Sequence, residues 1–311
     1  MKKALVLGAT GSMGYALVQE LVKRNVEVTA FARGEERLRA FFANQNGVTL
    51  FPGDMFHPDS LDQAAADADV IFHAVNLPYG QWEQKLPLLT DRLLAAAQAT
   101  GAKLVVVDNV YAYGRSNGQK VTEETPKQPA SKKGKIRLQL EQTIKQSAVP
   151  ALIAHFPDFY GPHAGNTLLH YTMQGILSGK KAYFVGNQQI EREYIYTPDG
   201  AKALVELALH DFAYGQNWNI PGSGVISGAE IIRILREASG YRRRVGTVTK
   251  PMLRFLGLFD KMMSEMVEMM YLTEQPVILS GEKYEKFIGK VPMTAYRDGI
   301  LQTWNWMTAR R

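Results

Sequence analysis

The sequence predicts an α/β protein, a doubly wound parallel sheet followed by a smaller C-terminal lobe. Two observations carry that reading. In the first half, short apolar runs alternate with amphipathic helical segments. After about residue 160 that alternation loosens. Short buried strands alternating with helices are βαβ units. Their right-handed crossovers place every strand's C-terminal end along one edge, where open sheets bind ligands.

The elements follow in order. "KALVLGA" is a short, fully apolar strand, and "SMGYALVQELVKRN" is a helix with Tyr15, Val18, Leu21 and Val22 on one face. "VEVTAFA" is a β-branched strand, followed by the charged helical piece "GEERLRAFFANQ". "VTLFPGD", "DVIFHAV" and "KLVVVDN" add three strands, separated by alanine-rich helices near 59–67 and 82–99, and "PALIAHF" is a sixth. Beyond it, "NTLLHYTMQGILSG", "PDGAKALVELALHD" and "SGAEIIRILREASG" read as helices, "KAYFVG" as extended, and the tail from Pro251 as irregular and helical. This divides the chain into a domain over 1–160 and a lobe over 161–311, with some elements returning to the sheet. Met262, Met263, Met266, Met269 and Met270 recur at spacings that fit one helical face, so buried packing is expected.

Composition narrows the class. The chain has 311 residues, 46% hydrophobic and 21% charged, as in an ordinary soluble globular protein. Net charge is +6, with short clusters at Lys132-Lys133 and Arg242-Arg243-Arg244 that read as solvated surface or as attraction for a small anion. No basic stripe alternates with aromatics, so a nucleic-acid partner is not expected. The absence of cysteine excludes disulfides and thiolate metal sites, and no metal centre is expected. The apolar run after "MKK" is broken by Gly8, Thr10 and Gly11, too early for a signal peptide. No run approaches the ~18 apolar residues of a membrane span. The expectation is a cytoplasmic protein with no membrane partner.

"GATGSMG" carries the first chemistry. Gly8, Gly11 and Gly14 follow a strand directly and open a helix. Glycine there lets the backbone approach a pyrophosphate, and the helix N-terminus offers free N–H groups. Gly8, Thr10, Gly11, Ser12, Met13 and Gly14 are therefore the predicted cradle of a dinucleotide. At the end of the second strand, where NAD sites carry an acid, the chain has Arg33, with Arg37 one turn on. A guanidinium pairs with a 2′-phosphate, so NADP is favoured, although stacking of Arg33 on adenine would also admit NAD. Asp54 can accept from the adenine amino group while Met55 covers the ring, and Ala74 and Asn76 fall near the second ribose and phosphates. His73, inside an apolar strand, reads as a satisfied core histidine.

The chain resembles the extended short-chain dehydrogenase/reductase superfamily, the NAD-dependent epimerase/dehydratase group, over nearly its whole length. "GATGSMG", "VVVDNVYAYG", "VTEETPKQP", "HFPDFYGP", "REYIYTPDGAKAL" and "NWNIPGSGVISGAEI" match its segments in order. The resemblance implies a Rossmann sheet and a small-molecule substrate held by the C-terminal lobe. It also implies a homodimer through the helices near 82–99 and 132–147. It further implies a catalytic Ser or Thr, a Tyr, and a Lys four residues after that Tyr. Here those positions hold Asn109, Lys133 and Arg137. Asn109 can still polarise a carbonyl, and Arg137 can still reach the nicotinamide ribose. Lys133 would act as a base only if Arg137 depressed its pKa; the plainer expectation is an exposed lysine on a helix that starts one turn earlier.

Tyr111 is the first alternative phenol, with Tyr113, Tyr160 and Tyr194 behind it. Pro157 falls beside the cofactor, and Asn76, Tyr111, Tyr160 and Arg192 beside the substrate, where Arg192 matches the family's diphosphate-binding arginine. His155 and Asp158 replace an arginine and an asparagine, and Asp158 would repel a phosphate. Two readings follow. One is an NAD(P)-dependent oxidoreductase or epimerase-like enzyme acting on a small carbonyl, hydroxyl or sugar-type compound. The other is a non-catalytic NADP-binding sensor or regulator.

Overall fold

A computed structural model describes residues 1–310 of the chain. The apolar runs of the first half form strands and the segments between them helices. In chain order these are β1 (Lys3–Leu7), α1 (Ser12–Lys23), β2 (Glu27–Ala32), α2 (Glu35–Phe42), β3 (Val48–Pro52), α3 (Pro58–Ala65), β4 (Val70–His73), α4 (Trp82–Thr100), β5 (Lys103–Asn109), α5 (Lys132–Gln146) and β6 (Ala151–Phe156). The second half contributes β7 (Asp158–Tyr160), α6 (Leu168–Leu177), β8 (Tyr183–Val185), β9 (Glu191–Tyr196), α7 (Thr197–Ala208), β10 (Asn217–Asn219), β11 (Val225–Ser227), α8 (Gly228–Ser239) and β12 (Gly246–Val248). Its last elements are α9 (Lys250–Leu256), α10 (Lys261–Val267), α11 (Tyr271–Glu274), α12 (Glu282–Phe287) and α13 (Tyr296–Thr308).

The main sheet has seven strands in the order β10-β6-β5-β4-β1-β2-β3, and all its pairings are parallel. Alternation within β1 shows why its sequence is apolar throughout. Ala4 and Val6 pack with α1 and α7 on one face, and Leu5 and Leu7 with α3 and α4 on the other. A strand covered on both faces has no polar side to present. From β1 the chain winds outward through β2 and β3, and from β4 it winds the other way through β5 and β6. The loops after β1 and β4 therefore diverge at a switch point, the crevice where such sheets take ligands.

The second half returns to the sheet twice. "NWN" forms β10 beside β6, and α7 packs against α1. The rest builds a lobe with its own core of Met173, Phe184, Ile231, Leu235, Ile300 and Trp304, and two small sheets, β11-β9-β7 and β12-β8. The methionine run departs from the expected buried face. Helix α10 starts under an Asp260 cap and ends at Val267, so Met269 and Met270 fall in the turn before α11. Only Met269 and Met270 enter the core, and Met262 is exposed.

Candidate functional site

Where β1 ends, Gly8 turns the chain with φ of 79°, and Gly11 opens α1 with no side-chain cap and no acid in the first turn. A Cβ on Gly14 would collide with the Gly8 carbonyl, so turn and helix can touch only through glycine. The amides of Ser12, Met13 and Gly14 donate to no acceptor among the described residues. Met13 contributes its backbone alone, since its side chain is buried in the core. Those free amides at a helix N-terminus suit a pyrophosphate.

Around this loop stand the other predicted cofactor residues. Arg33 is exposed at the end of β2 with no ion pair among the described residues, and Arg37 lies over the Phe41 ring at 5.4 Å. Asp54 accepts from the Phe56 amide at 3.0 Å through one oxygen. Met55 is buried in the apolar cluster that holds Phe31 and Leu61. Ala74 donates its amide to Leu7 at 3.0 Å, Asn76 is exposed, and Pro157 is buried. Free amides, an unpaired guanidinium after β2 and a carboxylate after β3 together fit a dinucleotide.

The residues predicted for the reactive end gather after β5. Asn109 accepts from the Tyr111 amide at 3.0 Å and so caps a 3-10 turn, Val110–Tyr113. Its own amide NH2 has no partner among the described residues, leaving a donor to spare. Tyr111 meets Tyr79, from the 3-10 turn Tyr79–Gln81 after β4, with their hydroxyls 2.8 Å apart. Trp82 holds the pair. Its ring lies edge-on to Tyr79 and stacked with Tyr111, and its indole N–H donates to the Leu77 carbonyl at 2.7 Å. Burial pushes Tyr79 up to about 12 and Tyr111 well above the ordinary phenol value, despite the opposing charge of Arg137. Helix α5 presses on this turn at Gly134, where a Cβ would strike the Tyr111 carbonyl oxygen.

Lys133 is buried rather than exposed. Helix α5 starts at Lys132 behind a Ser131 cap, which points Lys133 inward from the first turn. Its ammonium is buried, pairs with Glu265 and Glu268, and lies 5.6 Å from the Tyr79 ring centre. Burial disfavours its charge, but the two carboxylates outweigh burial and raise its pKa. Arg137 is not among the main causes of that shift. It is itself buried, 3.3 Å from Asp108 and 4.3 Å over the Trp82 ring, with Nε unpartnered. His73 was expected to be satisfied; it is buried, but its Nδ1 has no partner. Burial first, then the Arg137 charge, pushes it down to about 3.

In the C-terminal lobe, Arg192 is buried between Phe184 and Tyr194, donates to the Val185 carbonyl at 3.0 Å, and keeps Nε unpartnered. Asp158 is solvent-accessible yet hemmed in by protein; burial raises its pKa and Arg192 opposes the rise. Its charge reaches both Tyr79 and Tyr111. Tyr160 does not line the site. It is buried in the lobe core against Tyr196 and Tyr296, because β7 turns its side chain toward α13. Tyr113 and His155 belong to a separate buried network with Glu141, Lys127 and Asn219. Sequence reasoning missed Tyr79, Trp82, Glu265 and Glu268. The first two stand in "NLPYGQW" directly after a strand, a place where site residues gather; nothing local marked the two glutamates.

A family model described as the NAD dependent epimerase/dehydratase family matches residues 4–220. The chain is 23% identical over 274 residues to the photosystem II assembly factor Ycf39 of Synechocystis sp., covering 83% of this chain and 74% of that protein. It is 25% identical over 263 residues to the uncharacterized UDP-glucose epimerase YtcB of Bacillus subtilis, covering 76% and 82%. Among solved structures, UDP-glucuronic acid 4-epimerase from Bacillus cereus with NAD superposes with a TM-score of 0.81 at 20% identity, over 99% of both chains. dTDP-glucose 4,6-dehydratase from Bacillus anthracis with NAD gives 0.82 at 18% identity, over 100% and 98%. The glycine cradle at the switch point and a family match through β10 lead to one assignment: the chain belongs to the NAD-dependent epimerase/dehydratase family.

Proposed function

We propose that the protein is an NADP-dependent oxidoreductase that reduces a small carbonyl compound, with the proton supplied by the Tyr79–Tyr111 pair instead of the helix α5 tyrosine. The observation that carries this reading is the 2.8 Å contact between the two hydroxyls, beside the free amide of Asn109. Both phenols are held protonated well past neutral pH, which suits donation to a carbonyl oxygen more than abstraction from an alcohol. Tyr111 gives its proton to the nascent alkoxide, Tyr79 replenishes it and, being partly exposed, takes a proton back from solvent, while Asn109 steadies the developing negative oxygen. A bound nicotinamide dinucleotide supplies the hydride. The glycine cradle holds its pyrophosphate, and the unpaired Arg33 favours the 2′-phosphate of NADP, although the solved relatives named above carry NAD. Arg192 and Asp158 bring one charge of each sign to the substrate side, so an uncharged carbonyl or hydroxyl group fits better than a diphosphate.

Following NADPH oxidation across a carbonyl panel tests the reading. Tyr111→Phe should lower kcat by roughly 10²-fold or more and leave NADPH affinity unchanged. Arg33→Asp should weaken NADPH by about tenfold to a hundredfold while sparing NADH. Tight NADPH binding with no turnover of any carbonyl would identify a receptor instead. That outcome would fit a Lys133 already committed to two carboxylates.

A further inference from the structure

From Met252 to Met262 the chain turns a run of large apolar side chains to solvent. Met252, Phe255, Leu256, Leu258, Phe259 and Met262 are all exposed, with Phe255 at 64%, Leu258 at 75% and Phe259 at 81%. Phe255 and Phe259 meet edge to face, 5.8 Å between centroids. Helices α9 and α10 pack on each other as a hairpin whose inner side is anchored. Glu265 and Glu268 hold Lys133, and the Lys261 stem lies close to Gly80. The outer apolar side is therefore held out by a docked element and is not a frayed end. A contiguous exposed patch of this kind marks an interaction surface.

Charge says what covers it. Arg242, Arg243, Arg244, Lys250, Arg254 and Lys261 lie in or just before the hairpin, against Asp260 and the two carboxylates that Lys133 already pairs, Glu265 and Glu268. Residues 242–268 thus carry six cations and three anions, a net +3 within a whole-chain net of +6, and two of those anions are already met by Lys133. Only β12 and its flanks separate the arginines from α9, within about 20 Å of extended chain. A second copy on the same face would set these cations against their own kind. An anionic bilayer surface complements both properties, taking aromatic and leucine side chains among the acyl chains and basic ones among the headgroups.

We propose that the α9–α10 hairpin docks this protein onto an anionic lipid bilayer surface through Phe255, Leu258 and Phe259, with the flanking arginines and lysines on the headgroups. No helix of the described residues is long and apolar enough to cross a membrane, so the contact is peripheral. The proposal is independent of the catalytic reading.

Co-sedimentation with vesicles tests it. The full chain should pellet with phosphatidylcholine vesicles containing phosphatidylglycerol, pellet far less with phosphatidylcholine alone, and be released as salt is raised. The double variant Leu258→Asp/Phe259→Asp should weaken binding by about tenfold or more with NADPH affinity unchanged. Lys250→Gln/Arg254→Gln should narrow the difference between the two vesicle types. Failure of the unaltered protein to bind phosphatidylglycerol vesicles would overturn the proposal, as would equal binding by the aspartate variant. A dimer in sedimentation equilibrium that the aspartate variant dissociates, without vesicle binding, would assign the patch to self-association and overturn it equally.

Discussion

The hydroxyls of Tyr79 and Tyr111 stand 2.8 Å apart although the residues come from different loops, 32 positions apart in the chain. The sheet brings them together, because β4 and β5 are adjacent and both loops leave from the same edge. Burial disfavours either phenolate; the hydrogen bond with Tyr111 and then Arg137 only partly offset it at Tyr79, and Arg137 does so at Tyr111. A phenol in this setting gives up its proton only to an oxygen of still higher basicity, such as a nascent alkoxide.

The pH profile of carbonyl reduction should reflect this. With Tyr79 pushed up to about 12 and Tyr111 higher, no inflection from either phenol is expected between roughly pH 6 and pH 10. Tyr79→Phe leaves the Tyr111 hydroxyl buried without its partner, and should lower kcat by about tenfold. Steady-state rates across that range check both statements; a Tyr79→Phe enzyme of unchanged kcat would separate the pair from the chemistry.

Gly134→Ala tests the contact between α5 and the Tyr111 turn. Alanine is the better helix former by about 1 kcal/mol, so an open position would gain stability. Here the new Cβ meets the Tyr111 carbonyl oxygen, which is backbone and cannot swing away. A net loss of about 1–3 kcal/mol is expected in urea unfolding, as for other overpacked sites. Because the helix displaces the turn itself, kcat should fall together with stability.

Legibility in the sequence followed locality. The six strands, the glycine cradle and Arg33 are read from short-range pattern, and the structure joins the strands in one sheet with the cradle after β1 and Arg33 after β2. β10 was harder, since "NWN" is three residues long and becomes a strand only through its neighbour β6. Lys133 was misread because its environment is set by Glu265 and Glu268, more than 130 positions away. Tyr160 was misread for the opposite reason. Its motif is familiar, but whether a side chain at a sheet edge points to the cleft or to the lobe depends on the lobe's packing.

His73 should make the fold sensitive to acid. Its folded pKa, about 3, lies below the ordinary 6.5, so between those values the unfolded chain binds more protons. The stability tied to neutral His73 is complete above pH 6.5 and is lost as pH falls toward 3. Replacement by leucine should remove on the order of 3–4 kcal/mol of that pH dependence. His163, down to about 4, acts in the same direction, and Glu193, raised to about 7, in the opposite one. The informative quantity is thus the difference between His73→Leu and the unaltered protein in urea at each pH. A difference that stays constant from pH 7 to pH 4 would place the His73 ring in water.

Lys133→Met tests what has become of the tyrosine position. Methionine keeps most of the stem's packing but leaves Glu265 and Glu268 facing each other without a cation. The two carboxylate side chains are about a quarter exposed, so the loss should fall between that of a surface and a buried pair, about 1–2 kcal/mol. It should be local, because these carboxylates belong to the hairpin and not to the sheet. Amide exchange over residues 261–268 should then quicken by about tenfold while β1 and β4 stay protected. The pH sense is fixed by the raised pKa of Lys133. Its contribution is complete below the ordinary 10.5 and disappears only as pH climbs through the higher folded value. The gap between the two proteins should therefore be level across neutral pH and close only in strong alkali. A gap that closes near neutrality would mean a lysine with a depressed pKa, free to act as a base after all.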